Sequence, residues 1–191
     1  FRSFGTKLWN AARFCEMNGI APDASFDPAA VQTPLARWIL GTANGAITEA
    51  TAALEAYRMD DYASACYRFV WNGFCDWFLE FAKPALNGPD GAEKDEVKGV
   101  AQHVLVTILR LLHPVMPYLT EELWDRFGYG PEFSLIGESW PATVAVPGAD
   151  EAKAELDWVV RLVSEVRAVR SEMNVSPSVL VPLLLSGATP A

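Results

Sequence analysis

Near the start of the chain, Lys7, Asn10, Arg13 and Phe14 recur at helical spacing. Residues three, four and seven apart share a helix face, so two cations, an amide and an aromatic ring line one strip, with Met17 just below. A single-stranded RNA loop calls for that set. The cations neutralise phosphates, and the ring stacks on an unstacked base. Leu8, Ala11, Ala12 and Cys15 fall toward the other side and can face a core. The same residues also describe an ordinary amphipathic helix, with Phe14 and Trp9 in the core and the cations merely solvated.

No rival chemistry is legible. The two histidines, His103 and His113, stand ten residues apart. There is no Gly-x-x-x-x-Gly-Lys phosphate loop, no metal-ligand cluster and no Ser/His/Asp set. No catalytic, metal-ligating or cofactor-binding residue is therefore expected. Cys15, Cys66 and Cys75 are an odd set without Cys-x-x-Cys spacing, which predicts buried, reduced thiols in a cytosolic protein. The start of the sequence has no basic stretch followed by a long apolar run, so it is not read as a signal peptide.

Charge restricts where RNA could bind. The 191 residues carry a net charge of −9, the wrong sign for a generic nucleic-acid binder. Residues 1–40 are net +1, whereas residues 41–100 are net −5, 101–150 net −4 and 151–191 net −1. Contact with RNA should thus be a small footprint on an acidic body, which would repel phosphates elsewhere. That acidity equally favours a helical interaction scaffold with no RNA role.

The elements that would hold the strip in place read as helices. Ser3 is expected to cap the first, which runs to about Asn18 and stops at Gly19. Thr33-Pro34 opens a second, to about Met59, with Leu35, Ile39, Ala43, Ala46 or Ile47, Ala50 and Leu54 as its seam. Gly41 and Gly45 within it permit a close neighbour. Asp60 or Asp61 caps a third, to about Pro84, apolar nearly all round and so the centre of a bundle. Arg68, Asn72, Asp76 and Glu80, successive i,i+4 neighbours that make one polar stripe, weigh against reading residues 62–81 as a membrane span. A fourth helix runs to Leu112 and breaks at His113-Pro114. A shorter one, 116–127, ends at Gly128. Residues 129–149 read as an aperiodic boundary, Asp150 opens a helix to about Asn174, and residues 179–185 read as a short strand. The expectation is an all-α bundle of about five helices over 1–128, then a small α/β extension over 129–191.

Four blocks carry a resemblance. Lys7-Leu8-Trp9-Asn10-Ala11-Ala12-Arg13-Phe14 resembles the first helix of the anticodon-binding domain of valyl-tRNA synthetases. Trp71-Asn72-Gly73-Phe74-Cys75-Asp76-Trp77-Phe78-Leu79-Glu80 is similar to a signature of that family, with Gly73 where the family usually has Glu and Phe78 where it has Tyr. His113-Pro114-Val115-Met116-Pro117 is shared with related class I synthetases. Arg170-Ser171-Glu172-Met173-Asn174 points back to the valyl family, although Ser178 stands where it commonly has Lys. The blocks occur in family order along nearly the whole chain.

The resemblance implies recognition of the anticodon stem-loop of valine tRNA. Phe14 would stack on a base, Arg13 would contact a base edge or phosphate, and Lys7 the backbone, with Asn10 beside them. Asp76 and Glu80 would orient basic side chains or accept from a base. By spacing alone, Arg167, Arg170 and Asn174 fall at i, i+3 and i+7 on one face of the last helix, which would meet RNA or a neighbouring domain or be an ordinary solvated face with Glu165 and Glu172. A class I synthetase activates its amino acid with His-x-Gly-His-like and Lys-Met-Ser-Lys-Ser-like motifs, and neither is in this sequence. The chain is therefore expected to be a non-catalytic part of a cytoplasmic, monomeric ligase. ATP and Mg would belong to the parent's catalytic domain. The isoleucyl and leucyl enzymes, whose bundles share the His-Pro-x-Met-Pro corner, are the nearest alternatives.

Overall fold

The computed structural model describes residues 2–129, 134–176, 178–184 and 186–187. Its helices are α1 (Arg2–Met17), α2 (Pro34–Glu55), α3 (Met59–Tyr67), α4 (Leu79–Asn87), α5 (Ala92–Leu112), α6 (Pro117–Trp124) and α7 (Ala149–Glu172). The fold is an all-α bundle, as the periodicity predicts. The chain divides into two units, residues 1–156 and 157–191.

In the first unit, α1 buries Phe4, Leu8, Ala11, Ala12 and Cys15, the stripe opposite the polar strip. The helix already includes Arg2, so Ser3 lies inside it and does not cap it. It stops at Gly19, whose φ of 66° suits a residue without Cβ. The Gly19 amide donates to Glu16 and the Ile20 amide to Cys15, the paired bonds that close a helix C-terminus.

Thr33 caps α2 by accepting from the Ala36 amide, with Pro34 at the first helical position. Glu96 of α5 accepts from the Gln32 amide, the Thr33 amide and the Thr33 hydroxyl, tying the start of α2 to α5. The helix ends at Glu55, four residues short of expectation, because Tyr57 turns left-handed at φ 58° and the Arg58 amide closes on Ala53. Of the two glycines in α2, Gly41 is approached by the Ala149 Cβ, whereas a Cβ at Gly45 would meet nothing within 4 Å.

α3 runs without interruption into an underwound π-helical segment, Arg68–Phe78, and on into α4. The Leu79 amide donates to Phe74, five residues back. Arg58, not an aspartate, occupies the N-cap of α3; Asp60 and Asp61 lie in its first turn, where the helix dipole favours them. Pro84 sits inside α4 and does not end it.

α5 is the central helix, with Val100, Val104, Leu105, Ile108, Leu109 and Leu111 wholly buried. His113 makes the corner after it, its Nδ1 at 2.8 Å from the hydroxyl of buried Thr120. α6 runs on through a π turn, Asp125–Tyr129, in which Gly128 has a φ of 95°. Among the described residues, no helix is long and apolar enough to cross a membrane.

Residues 134–148 are aperiodic but laced to the bundle. The Asn44 amide group exchanges two bonds with the Val144 backbone, Trp140 donates to the Thr51 hydroxyl, and Arg110 pairs with Glu138. Glu121 accepts from the Ser134 hydroxyl and from the Leu135 and Ile136 amides. Desolvation raises the Glu121 pKa, but these bonds and His113 outweigh it and hold the carboxyl below its ordinary value of 4.5. A carboxyl whose folded pKa is depressed stabilises the fold above its unfolded pKa. Its contribution is lost as pH falls from about 4.5 through the folded value. Thermal melts across this acid range should therefore fall less steeply for Glu121→Gln than for the parent chain. An identical pH slope would refute the assignment.

In the second unit, α7 continues to Glu172 and Asn174 turns left-handed at φ 51°. The Arg170 guanidinium donates to the Ser176 and Val179 carbonyls. The strand expected over 179–185 is not formed in its described part, 179–184. An extended segment becomes a strand only by pairing, and no partner segment exists among the described residues. The remaining position, Leu185, lies outside them.

Candidate nucleic-acid interface

α1 lies between the π segment and α6, so its two flanks are occupied and its outer face is open. On one flank Phe4 stacks with Tyr67 and Trp71. On the other, the Cβ position of Gly5 faces Leu119 and Met116. Arg2, Ser3, Thr6, Asn10, Arg13, Glu16 and Met17 are exposed between these flanks. Arg2, Ser3, Thr6, Lys7 and Asn10 line a shallow, open depression there.

The four residues of the strip receive different surroundings. Asn10 and Arg13 stand exposed, and no hydrogen bond or ion pair among the described residues holds either. They can meet a ligand without first breaking a bond. Phe14 is half-buried and packs against the core, so its ring is positioned by the fold while part of it reaches the surface. Lys7 is already engaged: its ammonium pairs with Asp76 and sits 3.8 Å from the centre of the Trp71 ring. A cation over an indole face gains electrostatically from the ring's quadrupole. Asp76 thus orients a basic side chain, one of the two roles the sequence left open for it.

Glu80 does not join this group. It pairs with Lys83 at 2.5 Å along its own helix. The polar stripe of the third helix is divided, because Arg68 turns to Glu49 of α2 at 2.7 Å while Asp76 turns to α1. Arg170 is committed to the backbone just past α7, and Asn174 lies beyond that helix. Arg167, Arg170 and Asn174 therefore do not present one helical face. Arg167 itself is exposed on α7.

Two residues were not legible as part of the site. Arg126 lies 5.2 Å from the Trp9 ring centre and donates to Glu16. With Arg13 it lines a narrow crevice against Trp9, Glu16 and Phe127, adding a cation from a distant part of the chain. Tyr67 is 45% exposed beside Trp71. The signal for both lay in packing, which spacing within one helix cannot report. The thiols are out of play: burial pushes Cys15 and Cys75 up to about 12 and Cys66 to about 11, so all three stay protonated near neutrality.

An open helix face with unpaired Asn10 and Arg13 beside a fixed aromatic ring suits a nucleic-acid loop, and comparison with known proteins gives the same direction. Residues 36–185 match the model of the anticodon-binding domain of tRNA ligase. The chain belongs to that family. A valine–tRNA ligase of Granulibacter bethesdensis is 62% identical over 97% of this chain. Those of Gluconobacter oxydans and Caulobacter vibrioides are 57% and 50% identical over 99% and 100% of it. The chain spans about a fifth of the length of these relatives, 21% in each case.

The anticodon-binding match begins within α2 and leaves α1 outside. Similarity to the valine–tRNA ligases extends across nearly the whole chain. As an anticodon-binding domain, this one carries exposed, unpaired Asn10 and Arg13 on a helix that precedes the matched region.

Proposed function

We propose that this chain is the anticodon-binding part of a valine–tRNA ligase and holds the anticodon stem-loop of valine tRNA. The parent would be a monomeric, cytoplasmic enzyme whose catalytic domain joins valine to the tRNA with ATP and Mg. The chain's own task is to grip and orient the RNA. The reading rests on one observation: Asn10 and Arg13 lie exposed and unpartnered beside Phe14 in a chain up to 62% identical to a valine–tRNA ligase.

Valine codons share guanine then uracil, so valine anticodons share a middle adenine and a third cytosine. An unstacked adenine offers a face for Phe14 and an edge for Arg13 or Asn10. Lys7, held by Asp76, meets the backbone. The acidic remainder repels phosphates elsewhere and confines the loop to the surface around α1.

The test is a titration with a valine anticodon stem-loop at two salt concentrations, followed by tryptophan fluorescence, since Trp9 adjoins the crevice at Arg13. Stem-loops with a changed middle base and with an isoleucine anticodon serve as comparisons. The expected result is saturable binding that weakens with salt and by about 1–3 kcal/mol with the base change. Binding indifferent to the base would reduce the role to backbone contact. No binding at low salt would favour the helical scaffold that the charge of −9 allows.

A further inference from the structure

We propose that Tyr67 is a second stacking platform, which takes one unpaired base of the bound loop other than the base held at Phe14. This rests on the anticodon-loop reading above and extends it to a residue outside the α1 strip. Tyr67, Phe4 and Trp71 form a cluster of nearly parallel rings. The Tyr67 ring centre is 5.5 Å from Phe4 and 5.4 Å from Trp71, with interplanar angles of 27° and 14°. The Phe4 and Trp71 centres are themselves only 6.4 Å apart.

Phe4 and Trp71 are the aromatic partners of Tyr67 among the described residues, and they leave much of its ring uncovered. The exposures agree. Phe4 is 9% exposed and serves the core, whereas Tyr67 is 45% exposed. No hydrogen bond to the Tyr67 hydroxyl occurs among the described residues, so core packing and polar bonding leave much of this side chain unused.

A cation adjoins the platform. Lys7 lies over Trp71 and also lines the depression that contains Arg2, Ser3, Thr6 and Asn10. A base on Tyr67 would thus place its phosphate beside Lys7 and the hydroxyls of Ser3 and Thr6. Phe4, which touches Tyr67, and Phe14 are ten residues apart on α1, about 15 Å along the axis. One base cannot span that distance, so the two rings serve different nucleotides. Asp76 competes with phosphate for Lys7, which makes the stacked base, not the phosphate alone, the source of affinity here.

The experiment measures stem-loop affinity for the chain and its Tyr67→Ala, Tyr67→Leu and Tyr67→Phe variants. Each is titrated with the intact loop and with loops made abasic at one position at a time. Tyr67→Leu keeps apolar cover over Phe4 and guards against a packing defect in Tyr67→Ala. The expected result is binding about 10- to 100-fold weaker for Ala and Leu and near parental for Phe, as loss of one base stack requires. The penalty should vanish at one abasic position, different from the position at which the Phe14→Ala penalty vanishes. Parental affinity of Tyr67→Leu, or a penalty that survives at every abasic position, would overturn the proposal. If the parent chain still discriminates the middle base in that case, only the Tyr67 assignment fails. If the parent chain does not bind the loop, the anticodon reading and this extension fall together.

Discussion

The double variant Arg13→Ala/Phe14→Ala is expected to lose about 2–6 kcal/mol of affinity for the valine stem-loop, because one base contact and one base stack are each worth about 1–3 kcal/mol. At the upper end no saturable binding would be measurable. The two side chains are neighbours, so their single losses need not sum, and both single variants belong in the cycle. Their stabilities should separate as their burial does. Arg13 is exposed without a partner, and Arg13→Ala should leave stability within about 0.5 kcal/mol. Phe14 packs against the core, so Phe14→Ala should lower stability as well as affinity. The salt dependence then assigns Arg13. A phosphate contact would lower the slope of log affinity against log salt by about one. A base-edge contact would leave the slope nearly unchanged and relax discrimination at one base. A double variant that binds as tightly as the parent chain would remove α1 from the interface altogether.

The parts of this arrangement that are local in sequence were legible, and those made by distant partners were not. The α1 stripe, the Gly19 stop, the Thr33-Pro34 start and the break at His113-Pro114 each depend on residues within a few positions. Spacing placed them within one or two residues. Tyr57 ended α2 early because a left-handed tyrosine is not announced by composition, as a glycine would be. The π segment escaped for a related reason. Its i→i+5 bonding is not announced by residue type, and the same residues read equally well as a plain α-helix. The Lys7–Asp76 pair joins residues 69 positions apart. Lys7 therefore looked like a free cation, although the fold had already given it a carboxylate and an indole. Arg170 is the converse case: its place on the helix was legible, but the chain past the helix turns back and takes the guanidinium. The strand over 179–185 shows the limit of pattern alone, since a β-run specifies its alternation but cannot supply its partner.

Phe74→Ala should be strongly damaging to stability, costing about 3–5 kcal/mol for the lost ring and the cavity it leaves. Phe74 is wholly buried and stacks on Phe78 with ring centres 5.6 Å apart. It also lies within the π segment, where its carbonyl accepts the Leu79 amide. That segment holds Trp71 and Asp76 against α1, so the damage should not stay in the core. A domain this size has about 5–15 kcal/mol of stability, and the variant would lose a large fraction of it. Urea unfolding should show a lower midpoint with an unchanged slope if the folded state remains compact. RNA then separates a weakened fold from a broken site. A ligand that binds only the folded chain adds about 2.7 kcal/mol at a hundred times its Kd. Saturating stem-loop should therefore restore much of the Phe74→Ala midpoint, but little of it when Arg13→Ala/Phe14→Ala is added to the same chain. Equal restoration in both would mean that the RNA stabilises the bundle from some surface other than α1.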